Sequence, residues 1–265
     1  MAGTLKRGHT WIDEIRHALA EDRFVLYSQP ILDLATGQVV REELLVRMLA
    51  SGGEVIPPAS FIPACERFGL IHELDRRVVS RALELAAGGR RVAVNLSAHS
   101  LGDREITRLV AGVVGRGLDP DTLVFEITET AAAANYKEAA DFAERLSRIG
   151  CGFALDDFGT GFGALSYLKH IPFGYLKIDR EFVRELASQP RNQRIVGIIV
   201  RTASEFGQKT IAEGVEDAKT LDILRALGVD MAQGFHIARP EPVATIPAQP
   251  ARMLATSPDA SRWTA

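Results

Sequence analysis

The chain has 265 residues, 46% of them hydrophobic and 25% charged, and its formal net charge is −3. These values are typical of a globular protein with a sizeable core, and without a basic excess they predict no DNA partner. The most apolar stretch, IVGIIV at 195–200, is too short to span a membrane, and the first residues lack the apolar region of a signal peptide, so we expect a cytoplasmic protein with no membrane span.

The cysteine and histidine content counts against several kinds of site. The two cysteines, Cys65 and Cys151, stand in apolar surroundings, so we expect reduced core cysteines and neither a disulfide framework nor a thiolate metal site. The six histidines show no HExxH or HxH spacing, which counts against a histidine-rich zinc site.

Short apolar segments alternate with segments of helical period along the chain. The strands that we predict, in chain order, are 23–30, 38–48, 91–97, 122–129, 151–158, 174–179, 208–215 and 229–235, most of them rich in Val, Ile, Leu and Phe. The helices that we predict are 11–22, 58–69, 71–88, 103–117, 135–150, 192–207 and 217–228. In the helix at 135–150, Asn135 is a predicted N-cap and Gly150 a predicted helix stop.

Eight strands alternating with helices favour a (β/α)8 TIM-like barrel, since such barrels have a typical size of about 250 residues. A doubly wound open sheet is the alternative, and periodicity alone does not decide between the two. The last segment is rich in Pro, Ala, Ser and Thr and has no clear period. The predicted organisation is an N-terminal extension at 1–10, one domain at 11–241 and a mostly disordered tail at 242–265.

Polar side chains follow the apolar part of every predicted strand. They are Gln29, Glu43 with Arg47, Asn95, Glu126 with Glu129, Asp156 with Asp157, Lys177 with Asp179, Glu213 with Glu216, and Gln233. In a barrel, the carboxyl ends of the strands meet at one mouth. That mouth would collect five carboxylates and one amide, from Glu43, Asn95, Glu126, Asp156, Asp157 and Glu213.

Five converging carboxylates cannot all remain ionised without protons or cations among them. Oxygen ligands without histidine or thiolate suit Mg²⁺ or Mn²⁺. The adjacent Asp156 and Asp157 could serve two neighbouring metals, and metal pairs about 3.5–4 Å apart cleave phosphodiesters in line. Lys177 would add a fixed positive charge that stabilises the phosphate or orients the attacking water.

Each of these residues also has a purely structural alternative. Glu126 and Glu129 could be solvated charges, and Asn95 could satisfy backbone groups in a turn. Asp179 could be only a helix N-cap, and Lys177 could be a surface lysine. Taken singly, each alternative is the simpler interpretation, but polar groups at all eight strand ends favour a site.

The glycine-rich segment GTGFG follows Asp156 and Asp157 directly. Its spacing is G-x-G-x-G rather than G-x-G-x-x-G, and the two preceding aspartates would repel a bare phosphate. A mobile active-site loop is therefore the better interpretation than a nucleotide-cofactor loop.

Nine ordered stretches resemble the EAL domain family, the cyclic di-GMP phosphodiesterases. They are YSQPILDLATGQ, ELLVR, FIPACERFGLI, VAVNLSA, FEITET, LDDFGTGFGALSYL, LKIDREFV, IAEGVE and QGFHIARP. The resemblance covers about residues 11–241 and implies a (β/α)8 barrel with one antiparallel strand. It also implies hydrolysis of cyclic di-GMP to linear pGpG with Mg²⁺ or Mn²⁺ in a two-metal site.

The resemblance assigns a role to each candidate residue. It implies metal ligands at Glu43, Asn95, Glu126, Asp156, Asp157 and Glu213, with Asp157 on the second metal. Lys177 and Gln233 would stand near the attacking water, and Glu213 would be a ligand or a proton acceptor. Gln29, Arg47 and Asp179 are candidates for substrate binding, while Glu129 and Glu216 are candidates for stabilising the loop after Asp157.

The chain departs from the family pattern at several positions. The signature Glu-Ala-Leu reads Glu43-Leu44-Leu45, Met48 replaces the usual Trp, and the loop reads GTGFGAL. Arg41 replaces a glycine, which we expect to put extra charge beside the entrance. These changes should tune substrate affinity and loop stability without removing the metal ligands.

Three functions follow as hypotheses. The first is an active cyclic di-GMP phosphodiesterase, and the second is a catalytically weak or inactive receptor that binds cyclic di-GMP and signals by protein contacts. The third and weakest is a barrel enzyme that acts on another phosphate ester. The resemblance also implies a homodimer with the segment 159–167 near its interface.

Overall fold

The structure is a computed structural model, and it describes residues 2–159 and 168–243, with side chains from residue 11 onward. The predicted dimer-interface segment lies outside the described residues from 160 onward, as does the predicted disordered tail from 244 onward.

Eight strands close into one barrel. The strands of the described residues are β1 (Phe24–Asp33), β2 (Val39–Leu49), β3 (Val55–Ile56), β4 (Val92–Asn95), β5 (Leu123–Thr128), β6 (Gly152–Phe158), β7 (Tyr175–Ile178), β8 (Lys209–Ala212), β9 (Met231–Ala232) and β10 (Glu241–Pro242). The barrel order is β1-β2-β4-β5-β6-β7-β8-β9, closed by pairing of β9 with β1, while β3 and β10 extend its edges.

Strand β1 is the one barrel strand that runs against its neighbours. It is antiparallel to both β2 and β9, whereas the pairs from β2 and β4 round to β8 and β9 are parallel. The prediction of a (β/α)8 barrel with one antiparallel strand is therefore confirmed, and the open doubly wound alternative is wrong.

Helices surround the barrel. They are α1 (Ala2–Ala20), α2 (Pro58–Arg67), α3 (Ile71–Ala87), α4 (Arg104–Val114), α5 (Glu129–Ala134), α6 (Tyr136–Ile149), α7 (Arg180–Val183), α8 (Pro190–Glu205) and α9 (Ala218–Ala226). Short 3₁₀ turns occupy Ala98–Gly102 and Pro120–Thr122. Among the described residues, no helix combines the length and the apolar character that a membrane crossing requires.

Two helix-end predictions have different outcomes. Gly150 ends α6 with φ +94°, and a Cβ atom there would lie 2.8 Å from Cγ of Pro120, so the position requires glycine. Asn135 occupies the N-cap position of α6, but its side chain makes no capping hydrogen bond. Its Nδ2 instead donates to the Ala131 carbonyl at 3.4 Å, because α5 ends directly before α6.

The barrel interior changes from apolar to polar along each strand. Side chains alternate between interior and exterior, so residues two apart share a face. An apolar or aromatic interior residue is followed two positions later by a polar one, in the pairs Ala93 and Asn95, Val124 and Glu126, Ala154 and Asp156, Tyr175 and Lys177, Ile211 and Glu213, and Met231 and Gln233. In the reversed strand β1 the order is inverted, with Gln29 before Ile31. One end of the barrel is therefore packed, and the other carries the polar groups.

The exterior faces of the strands pack against the helices in the main hydrophobic core. Val94, Phe125, Leu155 and Leu176 belong to this core, and so do two residues that depart from the family pattern, Leu44 and Met48. Both of these are buried among apolar neighbours, on the helix-facing side of β2.

The position of Arg41 differs from the one expected from the sequence. Its guanidinium is buried at the amino ends of the neighbouring parallel strands, where it donates to the carbonyl oxygens of Val92 at 3.1 Å, Thr122 at 3.0 Å and Asp121 at 3.0 Å. The expectation that Arg41 adds charge beside the entrance is wrong, because β2 brings Glu43 nearer the mouth and leaves Arg41 at the floor of the barrel.

Arg41→Met should destabilise the fold. The substitution keeps an aliphatic side chain but removes three hydrogen bonds to backbone carbonyl oxygens, two of them fully buried, which should lower the free energy of unfolding by about 2–4 kcal/mol. Urea unfolding followed by circular dichroism measures this effect, with the exposed Arg194→Met as the matched control. An Arg41→Met variant as stable as the control would contradict this account of the barrel floor.

Candidate functional site

A buried lysine lies at the centre of the polar end of the barrel. Nζ of Lys177 is 2.6 Å from Oε2 of Glu126 and 2.7 Å from Oε1 of Glu213, and it lies 3.3 Å from Oδ2 of Asp156 and 3.5 Å from Oε2 of Glu43. The lysine side chain is 0% exposed, so water screens these contacts weakly. Carboxylates from four different strands or strand ends therefore converge on one ammonium.

Glu43 is held by amides as well as by the lysine. Asn95 donates from Nδ2 to Oε1 of Glu43 at 2.6 Å, and Gln233 donates from Nε2 to Oε2 at 2.6 Å. Gln233 Nε2 also donates to Oε1 of Gln29 at 2.8 Å, and Gln29 in turn donates to the carbonyl oxygen of Ala238 at 2.9 Å. Register explains part of this network, since Gln29 and Glu43 are direct partners across β1 and β2.

Glu43 and Gln29 were expected at strand ends, but the structure places them elsewhere. Both lie near the middle of long strands, and Glu43 pairs with Ala93, two residues below Asn95 in β4. The stagger of strands in a barrel brings them to the level of the other polar residues.

Three acidic residues offer ligand atoms close enough for one metal. One carboxylate oxygen from each of Asp156, Asp157 and Glu213 lies within 4.8 Å of the other two. Asp157 has φ +54°, a left-handed conformation that is strained for a residue with a side chain and is common at functional sites. Its backbone N–H donates to Oδ1 of Asp156 at 2.9 Å, so the two adjacent aspartates are fixed relative to each other.

Four acids of the site have a pKa above the ordinary value for their type. Burial raises the pKa of Glu213 to about 8, against the lowering effect of Lys177, and burial together with the charge of Asp156 raises the pKa of Asp157 to about 6. Burial also raises the pKa of Glu126 and of Asp156. Burial acts to lower the pKa of Lys177, but the surrounding carboxylates outweigh it and raise that pKa instead. The site therefore has an excess of negative charge.

The donor set fits a divalent cation that prefers oxygen. Oε1 of Glu126 is buried and has no hydrogen-bond partner among the described residues, although Oε2 of the same carboxylate contacts Lys177. A buried, unpaired carboxylate oxygen is costly unless a cation or a proton reaches it. Carboxylate and amide oxygens are the ligands that Mg²⁺ and Mn²⁺ take, so the residues present fit such an ion.

The loop after Asp157 is tied to α5. The backbone N–H of Gly159 donates to Oε2 of Glu129 at 3.0 Å, and Glu129 is the buried first residue of α5. Gly159 has φ +104°, and a Cβ atom there would lie 2.9 Å from Cε2 of Phe182. The start of the loop thus requires glycine, and its backbone is held by the Glu129 carboxylate.

An open cavity of about 290 Å³ lies over these acids. Its lining includes Gln29, Glu43, Asp156, Glu213, Glu216 and Gln233 from the predicted set, together with Leu45, Arg180, Arg184 and Phe235. A second cleft of about 730 Å³ adjoins it and shares Arg180, Arg184, Gly214 and Glu216. Arg180, Arg184 and Phe235 were missed by sequence reasoning, although Arg180 lies in LKIDREFV, Arg184 directly follows that stretch, and Phe235 lies in QGFHIARP.

Three predicted residues lie at the edge of this arrangement. The guanidinium of Arg47 is 5.4 Å from the ring centroid of Tyr27 and donates to the Val46 carbonyl, and Arg47 is not in the described lining of the cavity. Asp179 caps α7 by accepting from the Glu181 N–H at 2.6 Å, as its structural alternative proposed, and it also contacts Asp157. Glu216 is exposed and lies 3.6 Å from Arg184.

Comparison with known proteins places the chain among EAL domains. The family model described as EAL domain matches residues 12–240. The chain is 37% identical over 243 residues to Cyclic di-GMP phosphodiesterase PdeB of Shewanella oneidensis, and 36% identical over 242 residues to Cyclic di-GMP phosphodiesterase NbdA of Pseudomonas aeruginosa. These alignments cover 89% and 88% of this chain but only 28% and 31% of the relatives, so the chain spans less than a third of their length.

Solved structures share the fold over nearly their whole length. The structure called PaMucR Phosphodiesterase, c-di-GMP complex, has a TM-score of 0.81 at 34% identity, covering 88% of this chain and 98% of that one. The FimX EAL domain from Pseudomonas aeruginosa bound to c-di-GMP has a TM-score of 0.83 at 30% identity, covering 87% and 96%.

The raised carboxylate pKa values predict pH-dependent metal binding. The pKa of Glu213 is raised to about 8, so at lower pH its carboxyl group carries a proton that a cation must displace. The affinity for Mn²⁺ should therefore rise as the pH increases from 6 to 8 and level off above pH 8. The slope should approach about tenfold per pH unit for this one group. Calorimetric titration with Mn²⁺ at several pH values measures the slope, and Glu213→Gln, which removes the titrating group, should flatten it. An affinity that is independent of pH in the wild-type protein would contradict the charge excess.

Proposed function

The chain belongs to the EAL domain family, and on that premise we propose that it is a metal-dependent phosphodiesterase that hydrolyses cyclic di-GMP to linear pGpG. The observation that carries the proposal is the set of carboxylates around buried Lys177, under an open cavity. Relatives named cyclic di-GMP phosphodiesterases and neighbouring structures bound to c-di-GMP support this substrate.

The charge of the site favours two divalent cations. Five carboxylates, those of Glu43, Glu126, Asp156, Asp157 and Glu213, stand against the single ammonium of Lys177. If all five are ionised, four negative charges remain, and two divalent cations neutralise that number. One cation would still leave two negative charges in a site that must accept an anionic phosphodiester.

We propose that the metal ligands are Glu43, Asn95, Glu126, Asp156, Asp157 and Glu213, with Mg²⁺ or Mn²⁺ as the ion. When bound, such ions lower the pKa of a bound water and offset the charge that develops on the phosphate. The chain contributes by holding the carboxylates in place: Asn95 and Gln233 fix both oxygens of Glu43, and the Asp157 N–H fixes Asp156. A preorganised ligand set needs little rearrangement when the ions bind.

Lys177 and Glu213 have different roles in the proposed reaction: the lysine supplies a positive charge and the glutamate accepts a proton. The surrounding carboxylates keep Lys177 an ammonium throughout the pH range in which Asp157 and Glu213 titrate, so it supplies a fixed positive charge for a phosphate oxygen or the attacking water. Glu213 accepts the proton of that water at a carboxylate oxygen as the water attacks phosphorus. The bond from phosphorus to the ribose 3′-oxygen breaks, that oxygen takes up a proton from solvent to become the 3′-hydroxyl, and the phosphate remains on the 5′-oxygen of pGpG.

Gln233 is suited to position the attacking water. Its Nε2 donates to Glu43 and Gln29, whereas its Oε1 is buried and has no hydrogen-bond partner among the described residues. That oxygen is available to accept a hydrogen bond from the water. Gln29, Arg47 and Asp179 remain proposed substrate contacts, and Glu129 and Glu216 remain proposed supports of the loop.

Two positions at which the chain departs from the family pattern lie away from the site. Leu44 and Met48 are buried in the core between β2 and the helices, and neither lines the described part of the 290 Å³ cavity. At every position proposed to bind metal, the chain has the carboxylate or amide side chain that the family pattern has. These features support hydrolysis over binding alone.

We also propose the setting in which this domain works. Cys65 and Cys151 are both buried free thiols, which suits a reducing cytoplasm. Residues 11–241 are proposed as one catalytic domain, and a homodimer is proposed as its working form. Sedimentation of the active protein tests the dimer, and a monomer at full activity would contradict it.

Turnover of cyclic di-GMP tests the proposed function. Purified protein with Mg²⁺ or Mn²⁺ should convert cyclic di-GMP to pGpG in a chromatographic assay. Asp156→Asn and Glu43→Gln should each lower kcat by about a hundredfold or more, because each removes a negative ligand without changing its shape. The control is Asp222→Asn, an exposed acid on α9 outside the site, which should retain activity.

Two results would contradict this function. Tight binding of cyclic di-GMP by folded, metal-loaded protein without pGpG would favour the receptor. Faster turnover of another phosphate ester than of cyclic di-GMP would favour a different substrate.

A further inference from the structure

Two arginines stand where the site opens into the larger cleft. Arg180 and Arg184 are exposed, and both line the 290 Å³ cavity over the acids as well as the adjoining 730 Å³ cleft. Arg184 lies 3.6 Å from Glu216, an exposed and therefore weak pair. Within the described part of the chain, Arg180 makes no ion pair, so its charge is not committed to another protein group.

Close packing fixes the backbone of Arg180 beside the catalytic residues. Gly214, which directly follows Glu213, has φ +69°, and a Cβ atom on it would lie 2.7 Å from Cβ of Arg180. Only glycine lets the first residue of α7 approach the Glu213 loop so closely. Lys177 lies in β7, three residues before Arg180, so the arginine is also tied to the site through the chain itself.

The shape of the site lets a long substrate reach these arginines. A cavity of about 290 Å³ is at the lower limit for a small-molecule pocket, about 300–1,000 Å³, and it cannot hold both halves of a dinucleotide. A cyclic dinucleotide whose scissile phosphate lies at the acids therefore extends beyond this cavity, and the adjoining cleft offers about 730 Å³ for its second half. In that pose the second phosphodiester lies at the junction of the two spaces.

The second phosphodiester needs a cation that the metal ligands do not supply. Lys177 is surrounded by four carboxylates, and Arg47 is not in the described lining of either space. A guanidinium forms two parallel hydrogen bonds with phosphate oxygens, which makes arginine the side chain best matched to a phosphodiester. Arg180 and Arg184 bring that group to both spaces.

We propose that Arg180, assisted by Arg184, binds the phosphodiester that is not cleaved. The two arginines are then specificity determinants, because they favour a substrate with two phosphodiesters over one with a single phosphodiester. The inference rests on the proposed function, since it takes cyclic di-GMP as the substrate.

The test compares two substrates in the same variants. Cyclic di-GMP carries two phosphodiesters, whereas bis(p-nitrophenyl) phosphate carries only the one that is cleaved. Arg180→Ala should raise KM for cyclic di-GMP roughly tenfold or more with little change in kcat, as expected for a contact made equally in the ground and transition states. The ratio of kcat/KM for cyclic di-GMP to kcat/KM for bis(p-nitrophenyl) phosphate should fall by a similar factor.

Further variants sharpen the comparison. Arg180→Lys should show a smaller rise in KM, because it keeps the charge and loses the paired hydrogen bonds. Arg184→Ala should show a smaller rise than Arg180→Ala, because Arg184 already pairs with Glu216. The control is Arg194→Ala, an exposed arginine on α8 that lines neither space, and both of its kinetic constants should match the wild type.

The outcomes separate this inference from the proposed function. An unchanged KM for cyclic di-GMP in Arg180→Ala, or an equal loss with both substrates, would overturn the role of Arg180. If the wild type turns over no cyclic di-GMP, the proposed function fails, and calorimetric binding of cyclic di-GMP in Ca²⁺ still tests the arginine. There, Arg180→Ala should weaken Kd roughly tenfold or more, and an unchanged Kd would overturn the inference.

Discussion

The site depends on the burial of one ammonium among carboxylates that would otherwise repel one another. Lys177 contacts acids from β2, β5, β6 and the end of β8, so each of these strands is held at the mouth partly by its charge. A buried charge is tolerated only when it is paired. Here one ammonium pairs with four carboxylates, so the negative charges outnumber the positive one. The remaining negative charge suits the site to a divalent cation, and Lys177 also links the strands that carry the acids.

The barrel accommodates these buried charges because its apolar and polar interior positions lie at different levels along the strands. Ile31, Ile211 and Met231 pack together within the barrel, as do Ala93, Val124 and Ala154, and polar residues occupy the next interior position of the same strands. Arg41 closes the opposite end by donating to backbone carbonyls. The acids therefore stand on a packed floor, which limits their motion and keeps their spacing suited to metal ions.

Much of this organisation could be predicted from the sequence. Short apolar segments that end in polar residues located the eight barrel strands and the acids that meet Lys177. Periodicity could not show that β1 is reversed, because alternation reads the same in both directions; that feature came from family resemblance. It also could not show that Arg41 lies at the barrel floor or that Arg180 lines the cavity, because both positions depend on strand stagger and loop packing. The helix cap expected of Asn135 failed because α5, a short helix that periodicity did not predict, ends directly before it.

We propose that the acids around Lys177 would hold two divalent cations for the cleavage of a phosphodiester. Anomalous diffraction from crystals containing Mn²⁺ and cyclic di-GMP tests it most directly. The account predicts two manganese positions among the carboxylates of Glu43, Glu126, Asp156, Asp157 and Glu213, with one phosphate of the ligand beside them. A single position, or none, in crystals with cyclic di-GMP bound would contradict it.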